Sequence, residues 1–418
     1  MYHLVEPMKR HRLSDVIDQY ALKRLTAHEV DPSVSNGHEF QGVNGLRALL
    51  GTQRFAEAPC TFIYLPADTD RGQENVEASV SWYDSREKDP GRSAEWRLYY
   101  DKKAGQLVQL VASDGDLFAL AKLTDGRLIV FLAASGSTNE RQLLYLLNEA
   151  KAVGPHFEIG TPQREIGFVE ESILAALGIQ SPESEDDAAT VVAEEIFRNC
   201  SGSFPTTADF SERARASFLG PNVQDDPDAF LTGIMEWETA LFRLFEEKLI
   251  ALRLEQGFRI SAERYDVAGF ISFARSIGNR RFARAGFAFE HHVKAVLLAN
   301  KVPFEWHAQT EGKRTPDFLF PSGQDYRNRD FPANQLRMLA TKTTCKDRWR
   351  QVINEAARIE VKHLLTLEPA ISHDQTSEMQ EEQVQLVIPR GIQPSYTESQ
   401  RKWIMSFSDF LDEIKTLM

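Results

Sequence analysis

The apolar residues of this chain follow two different rhythms. In the first part they fall in short runs rich in β-branched and aromatic residues: "TFIYLPA", "EASVSWYDS", "WRLYYD", "QLVQLVAS", "LFALAKLT" and "RLIVFLAAS". Gly, Asp and Asn separate them in "DKKAGQ", "SDGD" and "TDGR". Strands this short and regular predict a β-rich first domain over residues 1–178, a sandwich or barrel. "STNERQLLYLLNEA" predicts an amphipathic helix within it.

From about residue 190 the spacing becomes helical. In "DAFLTGIMEWETALFRLFEEKLIALRL", Phe230, Ile234, Trp237, Leu241, Leu244, Phe245 and Ile250 share one helix face. "SFARSIGNRRFARAGFAFEHHVKAVLLAN" predicts one or two further helices. After residue 300 the pattern switches again. "PDFLFP", "LRMLATKT", "VKHLLTL" and "VQLVIP" predict strands with helices between them, so a sheet covered by helices over 191–418. Between the two patterns, residues 179–190 predict a linker. From Ser181 to Ala189 there is one Pro, four acids and no large apolar residue. The expected class is α+β in two domains.

Length agrees, since 418 residues exceed one core. No apolar run is long enough to span a membrane, and "MYHLVEPMKRHRL" lacks the features of a signal peptide. Cys60, Cys200 and Cys345 are too far apart in sequence for a metal-ligand spacing or a disulfide framework, which points to a reducing cytoplasm.

The formal net charge is −13, yet the stretch "KTTCKDRWR" carries four cations and one acid between Lys342 and Arg350. A local cationic stretch in an acidic chain draws attention to nucleic acid. Upstream, Asp317 opens the apolar run "DFLF". A carboxylate at a strand edge serves either as a turn residue or as a metal ligand. Lys342 ends the following strand, 25 residues on, where its ammonium could orient water and stabilise charge on a phosphorane-like transition state. Metal-dependent nucleases of the PD-(D/E)-x-K kind place an acid two residues before this Lys, but Ala340 stands there. The second carboxylate must come from elsewhere. Glu355, bordering the apolar stripe Trp349, Val352, Ile353 and Ala356 of the next helix, is one candidate; Glu290 in "GFAFEHHVKAV" is another. Hard oxygen ligands of this kind suit Mg²⁺, with Asp317 and Glu355 as the metal pair.

Lys346, Asp347 and Arg348 form a cation–acid–cation triplet. Lys or Arg can bond G O6 and N7, and Asp can accept from C N4, so the triplet suits adjacent G·C pairs. Taken alone, the triplet reads first as a charged helix N-terminus in which Asp347 caps backbone N–H groups. Arg280, Arg281, Arg284 and Arg350 add phosphate-binding capacity.

Several of these stretches resemble a known family. "GNRRFARAG", "EGKRTPDFLFPS", "FPANQLRMLATKTTCKDRWRQVINEA" and "HLLTLEPAIS" are similar to the catalytic domain of EcoRII-type restriction endonucleases. In the first domain, "YALKRLTAHEVDPSVSNGHEFQG" and "VSWYDSREKDPGRSAEWRLYYD" resemble the DNA-contacting arms of that family's effector domain. The resemblance implies an N-terminal DNA-binding pseudobarrel that binds a second copy of the recognition site. It implies a C-terminal Mg²⁺-dependent nuclease of restriction-endonuclease fold. It further implies a homodimer cutting double-stranded DNA at pseudopalindromic CCWGG sites, in which the first domain blocks the catalytic cleft until it binds its own DNA. On this resemblance the catalytic set is Glu290, Asp317, Glu355 and Lys342, joined by Tyr326. The recognition triplet is Lys346, Asp347 and Arg348, and Lys23, Arg86, Arg92, Glu95 and Arg97 are effector-site contacts. Trp96 stands where the family pattern has a cation. The rival expectation is a DNA-binding protein whose nuclease site is silent or serves another defence role.

Overall fold

The computed structural model describes residues 11–35, 37–40, 45–67, 72–88, 91–147, 152–179, 187–200, 203–261, 264–345 and 348–417. The chain divides into two compact units. One lies within residues 10–182 together with 370–375; the other lies within 183–369 and 376–418. Residues 180–186 of the expected linker lie outside the described residues, and a helix, Asp187–Asn199, starts inside its expected span.

The first unit is built on one sheet of eight strands: β1 Ile17–Arg24, β2 Glu39–Phe40, β3 Phe55–Leu65, β4 Glu74–Asp84, β5 Trp96–Tyr100, β6 Leu117–Leu123, β7 Leu128–Ala133 and β8 Glu158–Gly160. Their order is β2-β5-β4-β3-β7-β6-β1-β8. Among the described residues of this sheet, only β3 and β7 pair in parallel. The sheet is strongly curled. Phe40 in β2 and Phe118 in β6 are five strands apart in that order, yet their ring centroids are 4.6 Å apart. In a flat sheet five strand spacings would separate them by about 24 Å. Inward-facing residues from opposite ends of the sheet, such as Phe40, Phe62, Trp82 and Phe118, therefore share one core.

Two local readings change. "QLVQLVAS" is not a strand, because a helix, Lys102–Val108, occupies its first part. Asp101 starts this helix by accepting from the N–H groups of Lys103 and Ala104, while its other oxygen accepts from Ser79 of β4. Leu107 and Val108 are buried from the helix instead of from a strand. Conversely, "IDQYALKR", whose apolar pattern is interrupted by polar residues, forms β1, between β6 and β8. The expected amphipathic helix is present as Thr138–Leu146, capped by the Ser137 hydroxyl.

In the second unit two long helices precede the sheet. Pro227–Gln256 begins with Asp226 accepting from Ala229 N–H, has Pro227 in its first turn, and ends at Gly257 with φ 72°. Phe230, Ile234, Trp237, Leu241 and Phe245 are buried on its expected face. After a hairpin of β9 Arg259–Ser261 and β10 Arg264–Tyr265, a single helix runs from Val267 to Ala299. The sheet follows as β11 Glu305–Trp306, β12 Phe318–Phe320, β13 Arg337–Lys342, β14 Lys362–Thr366 and β15 Val384–Val387, in sequential order. Its first two pairings are antiparallel and its last two parallel. All five residues of β14 are buried, as expected of a central parallel strand covered on both faces. From the C-terminal helix Phe407–Leu417, Phe410 packs on Phe320 and His363.

Candidate active site

The sheet's antiparallel β12–β13 pair sets the centre. Phe318 pairs with Leu339, so Asp317, one residue before β12, comes level with the end of β13 that carries Thr341 and Lys342. Asp317 Oδ2 accepts from Thr341 N–H at 2.6 Å, from the Thr341 hydroxyl at 3.0 Å and from Lys342 Nζ at 3.4 Å. Lys342 Nζ is held from the other side by the Thr341 carbonyl at 2.9 Å. Ala340 is buried and supplies no carboxylate, as the sequence required.

Two further carboxylates face Asp317. Glu290 comes from the Val267–Ala299 helix. Burial raises its pKa, and the Asp317 charge raises it further. The expected place of Glu355 on a helix is corrected: the helix is only Trp349–Ile353, Asn354 caps it, and Glu355 lies in the bend beyond. The chain leaves the helix there because Ala356 takes a left-handed φ of 47°. From that bend, the Glu355 carboxyl is pushed up to about 7 by burial and then by the Asp317 charge, while Lys342 pulls the other way. Its Oε2 is buried with no hydrogen-bond partner among the described residues. An orphaned, partly desolvated carboxylate oxygen near the Asp317 charge is a donor set short of positive charge. The residues present fit a hard divalent cation.

Sequence reasoning missed His307. It follows β11, donates its backbone N–H to the Asp317 carbonyl at 3.0 Å, and places Nε2 2.9 Å from Glu290 Oε2. Only its approach to the acids through a φ of 53° brings it there, and no spacing rule signals that.

Tyr326 is buried. Its hydroxyl donates to the Glu311 carboxylate at 2.6 Å and accepts from Arg358 N–H at 3.2 Å; burial pushes its pKa up to about 12. Glu311 also accepts from Ala357 N–H at 3.2 Å, and the Arg358 guanidinium donates to the carbonyls of Asn328 and Phe331. Tyr326 thus ties down the segment that carries Glu355. Cys345 is buried too, with its N–H bonded to Glu368 and its thiol pKa raised by burial.

Residues 242–411 match the family model described as EcoRII C terminal. The chain is also 38% identical to the type II restriction enzyme EcoRII of Escherichia coli over 215 residues, 51% of each chain. Over this stretch the chain is similar to the C-terminal part of EcoRII. The chain matches about half the length of that curated relative. Two solved structures are similar in part: metal-depleted Ecl18kI with uncleaved, modified DNA (19% identity, 55% of this chain, 83% of that one, TM-score 0.42) and the restriction endonuclease PspGI with substrate DNA (16%, 57%, 95%, 0.39).

Around the Asp317–Lys342 centre, the expected DNA-facing residues differ in placement. Lys346 and Asp347 lie outside the described residues; Arg348 is exposed. Arg350 pairs with Glu378 at 2.6 Å. Arg280 lies over the Phe204 ring at 4.3 Å and remains half-exposed, and Arg281 pairs with the buried Glu246 at 2.6 Å. Arg284 departs from the expectation of a phosphate-facing cation. It is buried over Phe210 at 4.2 Å and Phe242 at 4.9 Å, 3.9 Å from Glu238, and burial lowers its pKa. An i, i+4 relation to Arg280 puts both on one helix side, and that side faces Phe210 and Phe242 at Arg284.

In the first unit, Lys23 departs likewise. It is buried and paired with buried Glu29 at 2.6 Å, so its ammonium is withdrawn from the surface. Glu29 accepts as well from Thr26 N–H, which places the pair at a helix start. Arg86, Glu95 and Arg97 do come together at the β4–β5 edge. Glu95 bridges Arg86 at 2.7 Å and Arg97 at 2.9 Å, and Arg97 also pairs with Glu39. The Arg97 hydrogen bond holds the Glu95 carboxyl below its ordinary range. Arg92 is exposed in the loop just before β5. No helix among the described residues is long and apolar enough to cross a membrane.

Proposed function

We propose that this chain is a type II restriction endonuclease that hydrolyses double-stranded DNA at CCWGG-like sites with Mg²⁺, as a homodimer activated by a second DNA site. The observation that carries the reading is the orphaned Glu355 oxygen facing the Asp317–Lys342 pair. Asp317 and Glu355 would hold the ion. The chemistry it would supply there is Lewis-acid polarisation of a phosphoryl oxygen.

The chain's own groups do the rest. Thr341 fixes the Asp317 carboxylate, and Lys342, anchored to Asp317 and the Thr341 carbonyl, presents its ammonium to the attacking water and to the charge that grows on phosphorus. Water oxygen bonds to phosphorus, the bond to the 3′ oxygen breaks, and a proton passes to that oxygen. The products are a 5′-phosphate and a 3′-hydroxyl. Tyr326 acts on this centre through the segment bearing Glu355, as a positioning residue.

Recognition of G·C pairs is assigned to Lys346, Asp347 and Arg348, and the effector site to the Arg86, Glu95 and Arg97 cluster together with Arg92 of the loop before β5. The test compares plasmids with no, one and two CCWGG sites, with Mg²⁺ and with EDTA. Mg²⁺-dependent cutting, faster on the two-site plasmid, supports the whole reading. Equal rates on one and two sites remove second-site activation, and cutting without sequence preference removes the restriction class.

A further inference from the structure

We infer that Glu290, His307 and Asp317 form a second divalent-cation position that takes transition-metal ions through the His307 nitrogen. The inference rests on the proposed nuclease centre only in sharing Asp317. One ligand atom from each of these three residues lies within 4.8 Å of the other two. His307 Nε2 and Glu290 Oε2 are 2.9 Å apart. That is the separation of adjacent ligands on an octahedral ion, since bonds of about 2.1 Å set a right-angle edge of about 3 Å. At present a proton lies between the two atoms, and a cation would take its place.

The chemistry of the two sides differs. Asp317 and Glu355 offer oxygen alone, which suits Mg²⁺. The Glu290 side adds an imidazole, and nitrogen ligation favours Co²⁺, Ni²⁺ or Zn²⁺ over Mg²⁺. The backbone supports this role: the His307 N–H bond to the Asp317 carbonyl holds the imidazole beside the acid it would share an ion with. Access is open, because the His307 side chain is 43% exposed while Glu290 is 15% exposed.

The alternative is that His307 merely orients Glu290 by their hydrogen bond. Co²⁺ titration of the full chain without DNA separates the two. Bound Co²⁺ is read by visible d–d absorption, and imidazole ligation by a paramagnetically shifted exchangeable N–H resonance. His307→Asn is the appropriate variant, since Asn tolerates the left-handed backbone at that position. Expected is a Co²⁺ site with the shifted imidazole signal in the wild type. His307→Asn should lose that signal and about tenfold or more in affinity. Glu290→Gln should weaken the same site, whereas Glu355→Gln should leave the imidazole signal in place. Unchanged affinity and spectrum in His307→Asn would overturn the inference, as would loss of the signal in Glu355→Gln alone. The titration requires no cleavage, so a chain that fails to cut DNA leaves this result standing, and a failed titration leaves the nuclease reading standing.

Discussion

Thr341 donates twice to one oxygen of Asp317, from its backbone at 2.6 Å and from its hydroxyl at 3.0 Å. The same oxygen also receives Lys342. Asp317 is therefore oriented by β13 itself, not by its own turn. Thr341→Val keeps the shape and the backbone bond but deletes the hydroxyl. We expect about 1 kcal/mol of lost stability and a divalent-metal affinity lower by about tenfold. Calorimetric titration with Mg²⁺ checks this, and an unchanged affinity would show that the hydroxyl does not orient the ligand.

Glu355 sets a pH dependence. Its folded pKa is about 7, above the ordinary Glu value of 4.5. The folded state then holds a proton that the unfolded state releases, so stability falls as pH rises from about 4.5 to about 7 and stays reduced above that. Glu355→Gln should raise the stability of the metal-free chain at pH 8 by about 1–3 kcal/mol, discounted for partial solvent access, and should change it little at pH 4. Thermal melts at the two pH values in EDTA decide it. A variant equally stabilised at both would place the effect elsewhere.

The arginines of the long helix are separable by experiment. Arg284 packs on Phe210 and Phe242 beside Glu238, so Arg284→Ala should cost about 2–4 kcal/mol of stability. Arg280 is half-exposed over Phe204, and Arg280→Ala should weaken binding to all DNA sequences and lower its salt slope by about one. Melting curves and binding at several salt concentrations distinguish them. If Arg284→Ala melts like the wild type and lowers the salt slope instead, its burial is relieved in the DNA complex.

Lys23 gives a parallel contrast in the first unit. With Glu29 also buried, Lys23→Met leaves a carboxylate without its cation and should cost about 3–5 kcal/mol. Adding Glu29→Gln should recover part of that. A stable Lys23→Met with weakened DNA binding would return Lys23 to the surface role that family resemblance gives it.

What could be read from sequence follows from range. The strands in "DFLF", "LRMLATK", "KHLLT" and "VQLV" were legible because a buried strand, of either pairing sense, is a short run of apolar residues, and the Asp317–Lys342 spacing followed from two such strands. Glu355 was legible as an acid near the centre but not as a residue in a bend, since the left-handed Ala356 has no Gly to announce it. "QLVQLVAS" misled because Asp101, just upstream of the run, diverts it into a helix. His307, Arg284 and Lys23 were out of reach for another reason. Their placement depends on partners distant in sequence: Glu290 and Asp317 for His307, the Phe210 and Phe242 rings for Arg284, and the Phe157 ring for Lys23, whose near neighbour Glu29 then supplies the pairing charge.

The central claim is that Asp317 and Lys342 carry strand cleavage. The most direct measurement is the single-turnover cleavage rate on CCWGG duplex DNA in Mg²⁺ for the wild type, Asp317→Ala and Lys342→Ala, beside DNA affinity in Ca²⁺. The account predicts cleavage by the wild type, none detectable by either variant, and retained specific binding by all three. Cleavage by Asp317→Ala or Lys342→Ala at the wild-type rate would contradict it.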